Sequence, residues 1–228
     1  MTCEPVSCAS APAVTRALDG RLLLTHPFYR RWEEGRLGEG ELADYAVHYR
    51  AFEAALPAVL TAVAAQLRTT PDGVTADTSA AATLVEGNLA DELGAPEPHL
   101  ALFDRFAQAV GADATARPGP AADALVRTYL DLAGEGPVAA LAGLAAYETQ
   151  ASAIAGSKAD GLRRWYGTPP AGTEFWDVHA RMDADHGEWA VAALDLLAAD
   201  AAEVEAAARR GADAWWALLD EREAAAAV

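Results

Sequence analysis

The stretch FWDVHARMDADHGEWA, residues 175–190, places His179, Asp183 and His186 within eight residues of a chain that has five histidines in all. On an α-helix, at about 100° per residue, offsets of four and seven return to within about 40° of the starting direction. The three side chains therefore leave one face. Two imidazoles and a carboxylate converging on a point are the mixed nitrogen and oxygen set that suits iron, manganese or zinc. On an exposed face the same triplet would merely be solvated, so what lies opposite decides its meaning.

The helical reading extends outward from this stretch. Alanine, leucine and glutamate dominate, β-branched residues are sparse outside short patches, and apolar residues recur at helical spacing in segment after segment. Helices are predicted near 13–25, 26–35, 39–68, 76–93, 97–111, 119–133, 136–166, 171–199 and 202–224. Turn chemistry separates them: RTTPDG at 68–73, GAPEP at 94–98, ARPGP at 116–120, GEGP at 134–137 and YGTPPAG at 166–172. The pattern predicts an all-α bundle forming one domain over residues 13–228, with residues 1–12 disordered. No period of 20–50 residues repeats, which argues against a solenoid.

Composition narrows the function. The chain has 228 residues, enough for a sizeable core, and carries 17 Lys and Arg against 34 Asp and Glu, a net charge of −17. Such a surface repels phosphate backbones and anionic membranes, so neither nucleic acid nor membrane is an expected partner. Cys3 and Cys8 are too few and too peripheral for a disulfide framework. The first residues lack a basic start and an apolar run, so they do not read as a signal peptide, and a cytoplasmic location is expected.

If the triplet binds metal, facing helices should supply carboxylates from apolar surroundings. In VAALAGLAAYETQASAIAG, residues 138–156, Glu148 is the only charged residue between Glu135 and Lys158. Buried there, it must be protonated, ion-paired or bound to metal. In LVEGNLADELGAPEPHLALF, residues 84–103, Glu92 and His99 are seven apart, with Glu86 and Asp91 as nearby spares. Pro96 and Pro98 intervene, so simple wheel geometry does not carry across. A kink could aim both residues inward; alternatively His99 opens a new helix with its imidazole near solvent. Lys158, ten residues after Glu148, falls about 80° off the same face, near the edge of any site or reaching to solvent. Glu53, in YRAFEAALPAVL at 49–60, reads as a surface glutamate, its other reading being a partner for a substrate ammonium.

Four segments taken in order carry a family resemblance: HPFYRRWEEGRLGEGELADYAVHY, DELGAPEPHLALFDRFAQAVG, YETQASAIAGSKADGLRRWYG and HARMDADH. Over about residues 20–200 they resemble the haem-oxygenase-like non-haem diiron oxidases, and among these the CADD-type para-aminobenzoate synthases. The resemblance implies a haem-oxygenase-like (TENA/PqqC-like) helical bundle. It also makes Glu92, His99, Glu148, His179, Asp183 and His186 the six ligands of a two-iron centre, with O2 as co-substrate and an external reductant. The leading expectation is an O2-dependent diiron oxidoreductase that oxidises a C–H bond of a small amino acid or its derivative in biosynthesis. The alternative enzyme is a self-consuming para-aminobenzoate synthase, in which Tyr29 and Lys158 stand at the positions of the spent tyrosine and lysine. A non-enzymatic alternative is a helical interaction module. The tail WWALLDEREAAAAV fits it, because Trp215 and Trp216 cannot both face one core and one would mark an oligomer contact. The expected partners are a small-molecule substrate, an electron donor and a second copy of the chain in a homodimer.

Overall fold

The computed structural model of the protein describes residues 9–69, 73–94 and 97–226, and within them all side chains except those of Glu39, Asp183 and Ala184. Among the described residues there is no strand. The helices are α1 (Ser10–Ala17), α2 (Pro27–Glu33), α3 (Glu39–Arg68), α4 (Ala76–Glu92), α5 (His99–Ala109), α6 (Pro120–Glu135), α7 (Pro137–Trp165), α8 (Pro170–Leu196) and α9 (Ala201–Ala226), with a single 3-10 turn at Leu23–Thr25. Four of them, α2, α6, α7 and α8, begin on a proline. There the missing N–H would have had no helical partner and the fixed φ is already helical.

The helices close around one hydrophobic core with α7 at its centre. From Ala139 to Glu148 every residue of α7 is buried, most of them alanine, glycine or leucine. Such small side chains let neighbouring helices approach closely, and α8 and α9 make the most extensive contacts with α7. Helix α3 packs on α4, α5 and α6, while α4 and α5 also lean on α8. The last turn of α4, the first turn of α5 and the middles of α3, α7 and α8 thus converge at one level of the bundle. Trp32, Trp176 and Trp215 are each 1% exposed or less, and burying a large apolar side chain of this kind stabilises a fold by about 1.5–3 kcal/mol.

The sequence misplaces two features of the N-terminal region. The predicted helix at 13–25 is broken, because Gly20 adopts φ +68, a left-handed conformation in which the helix cannot continue. The segment expected to be disordered is helical from Ser10. Helix α1, which takes in Ser10, Ala11 and Pro12 of that segment, buries Ser10, Ala13, Val14 and Ala17 against α9, and the Ser10 N–H donates to Asp195 Oδ1 at 3.3 Å. Residues 1–8, the rest of that segment, lie outside the described residues. At the other end Trp215 is buried and donates to the Tyr129 hydroxyl at 3.0 Å. Trp216, the residue left for an oligomer contact, is half-buried within the chain, its ring 4.7 Å from His26 with Arg21 over it at 5.2 Å. No described helix is long and apolar enough to cross a membrane.

Candidate metal centre and aromatic cage

Four buried donors meet between α3, α4, α5 and α8. One ligand atom each from Glu53, Glu92, His99 and His179 lies within 4.8 Å of all the others. Glu92 is the last residue of α4 and His99 the first of α5, and both are buried. His99 Nδ1 lies 3.2 Å from Glu92 Oε2, without the alignment of a hydrogen bond. The His99 and His179 rings are 4.5 Å apart. The His179 Nδ1–H donates to the Phe175 carbonyl at 2.8 Å, one turn back on α8, which leaves Nε2 as the atom with a lone pair to offer. Burial alone would raise the Glu92 carboxyl, but the His99 contact and the charge that His179, His99 and His186 can carry hold it below the usual carboxylate range.

A second pair adjoins this group. His186 Nε2 is 3.1 Å from Asp91 Oδ2, and its Nδ1 is 4.0 Å from Glu148 Oε2. A carboxylate only accepts, so Nε2 carries the proton and Nδ1 presents its lone pair toward Glu148. Helices α7 and α8 touch at this level: a Cβ on Gly187 would lie 3.0 Å from the Glu148 carbonyl oxygen and 3.0 Å from Thr149 Cα. Only a glycine lets them come so close. Asp183 lies on α8 between the two histidines, but its side chain is outside those described. Imidazoles that each give one ring nitrogen to a hydrogen bond and keep the other unprotonated, beside buried carboxylates, fit a first-row transition metal.

Beyond the donors lies an aromatic cage around Lys158. This lysine is 2% exposed, and its Nζ donates to the Tyr45 hydroxyl at 2.6 Å. The ring centroids of Trp176, Tyr29, Tyr49 and Tyr45 lie 4.2, 4.5, 4.9 and 5.0 Å from Nζ. A desolvated cation–π interaction of this kind is worth about 2 kcal/mol or more. Tyr29 and Tyr45 share a hydroxyl hydrogen bond of 2.7 Å, as do Tyr49 and Tyr147. Burial drives the Tyr29 phenol up. Burial, the neighbouring tyrosines and the Glu53 carboxylate push Tyr45 and Tyr49 well above the ordinary phenol range.

Three readings from the sequence change here. Glu53 is not a surface glutamate: it is 3% exposed and faces the donors. His99 does open a helix, yet it is 4% exposed rather than near solvent, because the first turn of α5 packs against α8. Lys158 does not reach solvent. Among the spares, Asp91 pairs with His186, whereas Glu86 is on the surface with Arg68 at 2.6 Å. The sequence reading passed over Tyr45, Tyr49 and Tyr147. Their signal was present as Tyr45-x3-Tyr49-x3-Glu53 along one side of α3 and as Tyr147 preceding Glu148.

Comparison with known proteins agrees with this geometry. The chain is 38% identical over 221 residues to a 4-aminobenzoate synthase of Nitrosomonas europaea, covering 91% of this chain and 88% of that protein. Its fold matches a CADD-like protein of unknown function from Nostoc punctiforme, with a TM-score of 0.73, 18% identity, and 93% of this chain and 95% of that one covered. It matches equally a Shewanella denitrificans domain of unknown function with a haem-oxygenase-like fold, with a TM-score of 0.73, 16% identity, and 93% and 90% covered. Residues 43–219 match the family described as iron-containing redox enzymes. With that match spanning most of its length, and with the haem-oxygenase-like bundle around its buried donors, the chain belongs to the iron-containing redox enzymes.

Proposed function

We propose that the chain is an iron- and O2-dependent 4-aminobenzoate synthase that builds its product from its own side chains, the ring and its attached carbon from Tyr29 and the nitrogen from Lys158. The observation that carries this reading is the place of Lys158, wholly buried with its Nζ 4.5 Å from the Tyr29 ring centroid. The name of the Nitrosomonas relative supports it. Tyrosine already holds the product's skeleton, a benzene ring with carbon at one end and a heteroatom at the para position. The change requires breaking the Tyr29 Cα–Cβ bond, oxidising Cβ to a carboxylate, exchanging the para oxygen for nitrogen and breaking the Lys158 Cε–Nζ bond, which leaves position 29 without its side chain and the lysine Cε as an aldehyde. O2 is the oxidant, an external reductant supplies the balancing electrons, and the lost oxygen leaves as water.

Glu92, His99, Glu148, His179, Asp183 and His186 would hold two iron ions, whose chemistry when bound is the activation of O2. The protein's part is placement. Tyr29, Trp32, Tyr45 and Trp176, each 1% exposed or less, exclude water from the lysine. Nζ must lose protons before it can bond to carbon, and the Tyr45 and Tyr29 hydroxyls form a hydrogen-bonded path for one of them. A small-substrate oxidase is the second reading, favoured by an open groove of about 690 Å³ on the surface where α1, α7 and α8 meet, whose lining includes Glu148 and Gly187.

The test is to give the iron-loaded protein O2 and reductant with no substrate. Less than one equivalent of 4-aminobenzoate per chain, with a mass loss at Tyr29, is the outcome the synthase requires. In a parallel reaction with an added amino acid, many turnovers with an unchanged intact mass establish the oxidase instead.

A further inference from the structure

Resting on the iron-centre reading above, we infer that Glu53 is itself a metal ligand, a seventh donor beside the six, so that Glu53, Glu92, His99 and His179 form a four-donor pocket for one divalent iron. Each of the four is 7% exposed or less, and their donor atoms lie within 4.8 Å of one another. Four donors about 2.1 Å from a shared ion in tetrahedral array stand about 3.4 Å apart, so closing on a metal needs the widest pair to draw in by about an ångström, within the reach of side-chain rotation. Two carboxylates this close and this buried repel each other, and a proton on a neighbouring imidazole or a cation between them relieves the repulsion. One dication cancels both charges. Two imidazoles in the same group favour a transition metal over an ammonium, because imidazole nitrogen is the borderline donor that such metals prefer.

Glu53 also sits two turns along α3 from Tyr45 and one from Tyr49, and its charge reaches both phenols. A ligand at this position joins the metal pocket to the cage through one helix. With Glu92, Glu148 and Asp183 it makes four carboxylates for two dications. Such an anionic set stabilises ferric over ferrous iron, so loss of Glu53 should raise the reduction potential of the centre.

The experiment titrates metal-free protein with Co2+ under anaerobic conditions, following visible absorption, far-UV circular dichroism and thermal unfolding. The natural chain is compared with Glu53→Gln, Glu53→Ala and the surface control Glu86→Gln. The natural chain and the control should bind two Co2+ per chain. In both Glu53 variants one of the two affinities should fall at least tenfold and the Co2+ spectrum should change, with helical content kept. Their metal-free Tm should hold or rise as carboxylate repulsion is relieved, while the rise in Tm on adding metal shrinks. A Glu53→Gln chain with two Co2+, natural affinities and an unchanged spectrum overturns the inference and leaves the iron centre standing. So does a lower metal-free Tm with affinity intact, which marks a purely structural role. A natural chain that retains no Co2+ overturns the iron-centre reading itself.

Discussion

Tyr29→Phe removes one oxygen from the cage and so separates material from scaffold. The ring keeps its packing against Phe28, Trp32 and Tyr45, and the lost hydroxyl contact to Tyr45 should cost about 1–2 kcal/mol of stability. Iron content should stay at the natural level, yet 4-aminobenzoate should be absent by mass spectrometry. Lys158→Met keeps the length and apolar stem, so it too should fold and load iron while yielding no product. Formation of 4-aminobenzoate by either variant at the natural level would rule out the consumption of these two residues. At this scale the sequence was legible wherever a residue's isolation spoke for it. Glu148 stands alone in an apolar helix, and the histidine triplet is dense in a histidine-poor chain. The cage was not legible, because its rings come from α2, α3 and α8 and meet only when those helices pack. Glu53 was hidden for a related reason: a glutamate flanked by alanines has the same local signature on a solvated face as beside a metal.

Between helices, the approach of α7 to α8 at Gly187 sets the distance from Glu148 to His186. Gly187→Ala would place a methyl 3.0 Å from the Glu148 carbonyl oxygen and 3.1 Å from its carbon, backbone atoms that can yield only by parting the helices. Overpacking of this kind costs about 1–3 kcal/mol. The same displacement should weaken metal binding, which a Co2+ titration beside thermal unfolding measures; a variant with both properties unchanged would show that the contact is slack. Element boundaries were the better-read part of the fold. The prolines at the starts of α2, α6, α7 and α8 punctuate the chain plainly, and α3 runs over 39–68 as its periodicity predicts. Apart from the break at Gly20, the exceptions were decided by tertiary contacts. Helix α1 extends to Ser10 because α9 and Asp195 receive it, and His99 turns inward because α8 offers His179 across the gap.

For the molecule as a whole, two buried histidines outside the metal centre tie stability to pH. Burial lowers His26 despite the raising effect of Asp220 and Glu223, and burial with the Arg222 charge lowers His48 despite Asp44 and Glu221. A histidine whose folded pKa is depressed binds its proton more readily when unfolded. Its contribution is therefore complete above the unfolded value of about 6.5 and is lost as pH falls below it toward the folded value. The Tm of the metal-free protein should fall between pH 7.5 and 5.5. His26→Asn can still accept from the Phe28 N–H at the start of α2 while lacking a titrating ring, so it should flatten that slope. An unaltered slope would assign the pH dependence elsewhere. The full burial of Tyr29 in the core carries a last consequence. Under the synthase reading, a single turnover excises a phenol ring from the hydrophobic interior and leaves an unfilled void. Removing a large core aromatic typically costs about 3–5 kcal/mol, a sizeable part of the 5–15 kcal/mol that keeps ordinary domains folded. On that reading, a chain that has made its one molecule is loosened by its own chemistry and should unfold at a lower temperature than an unused one.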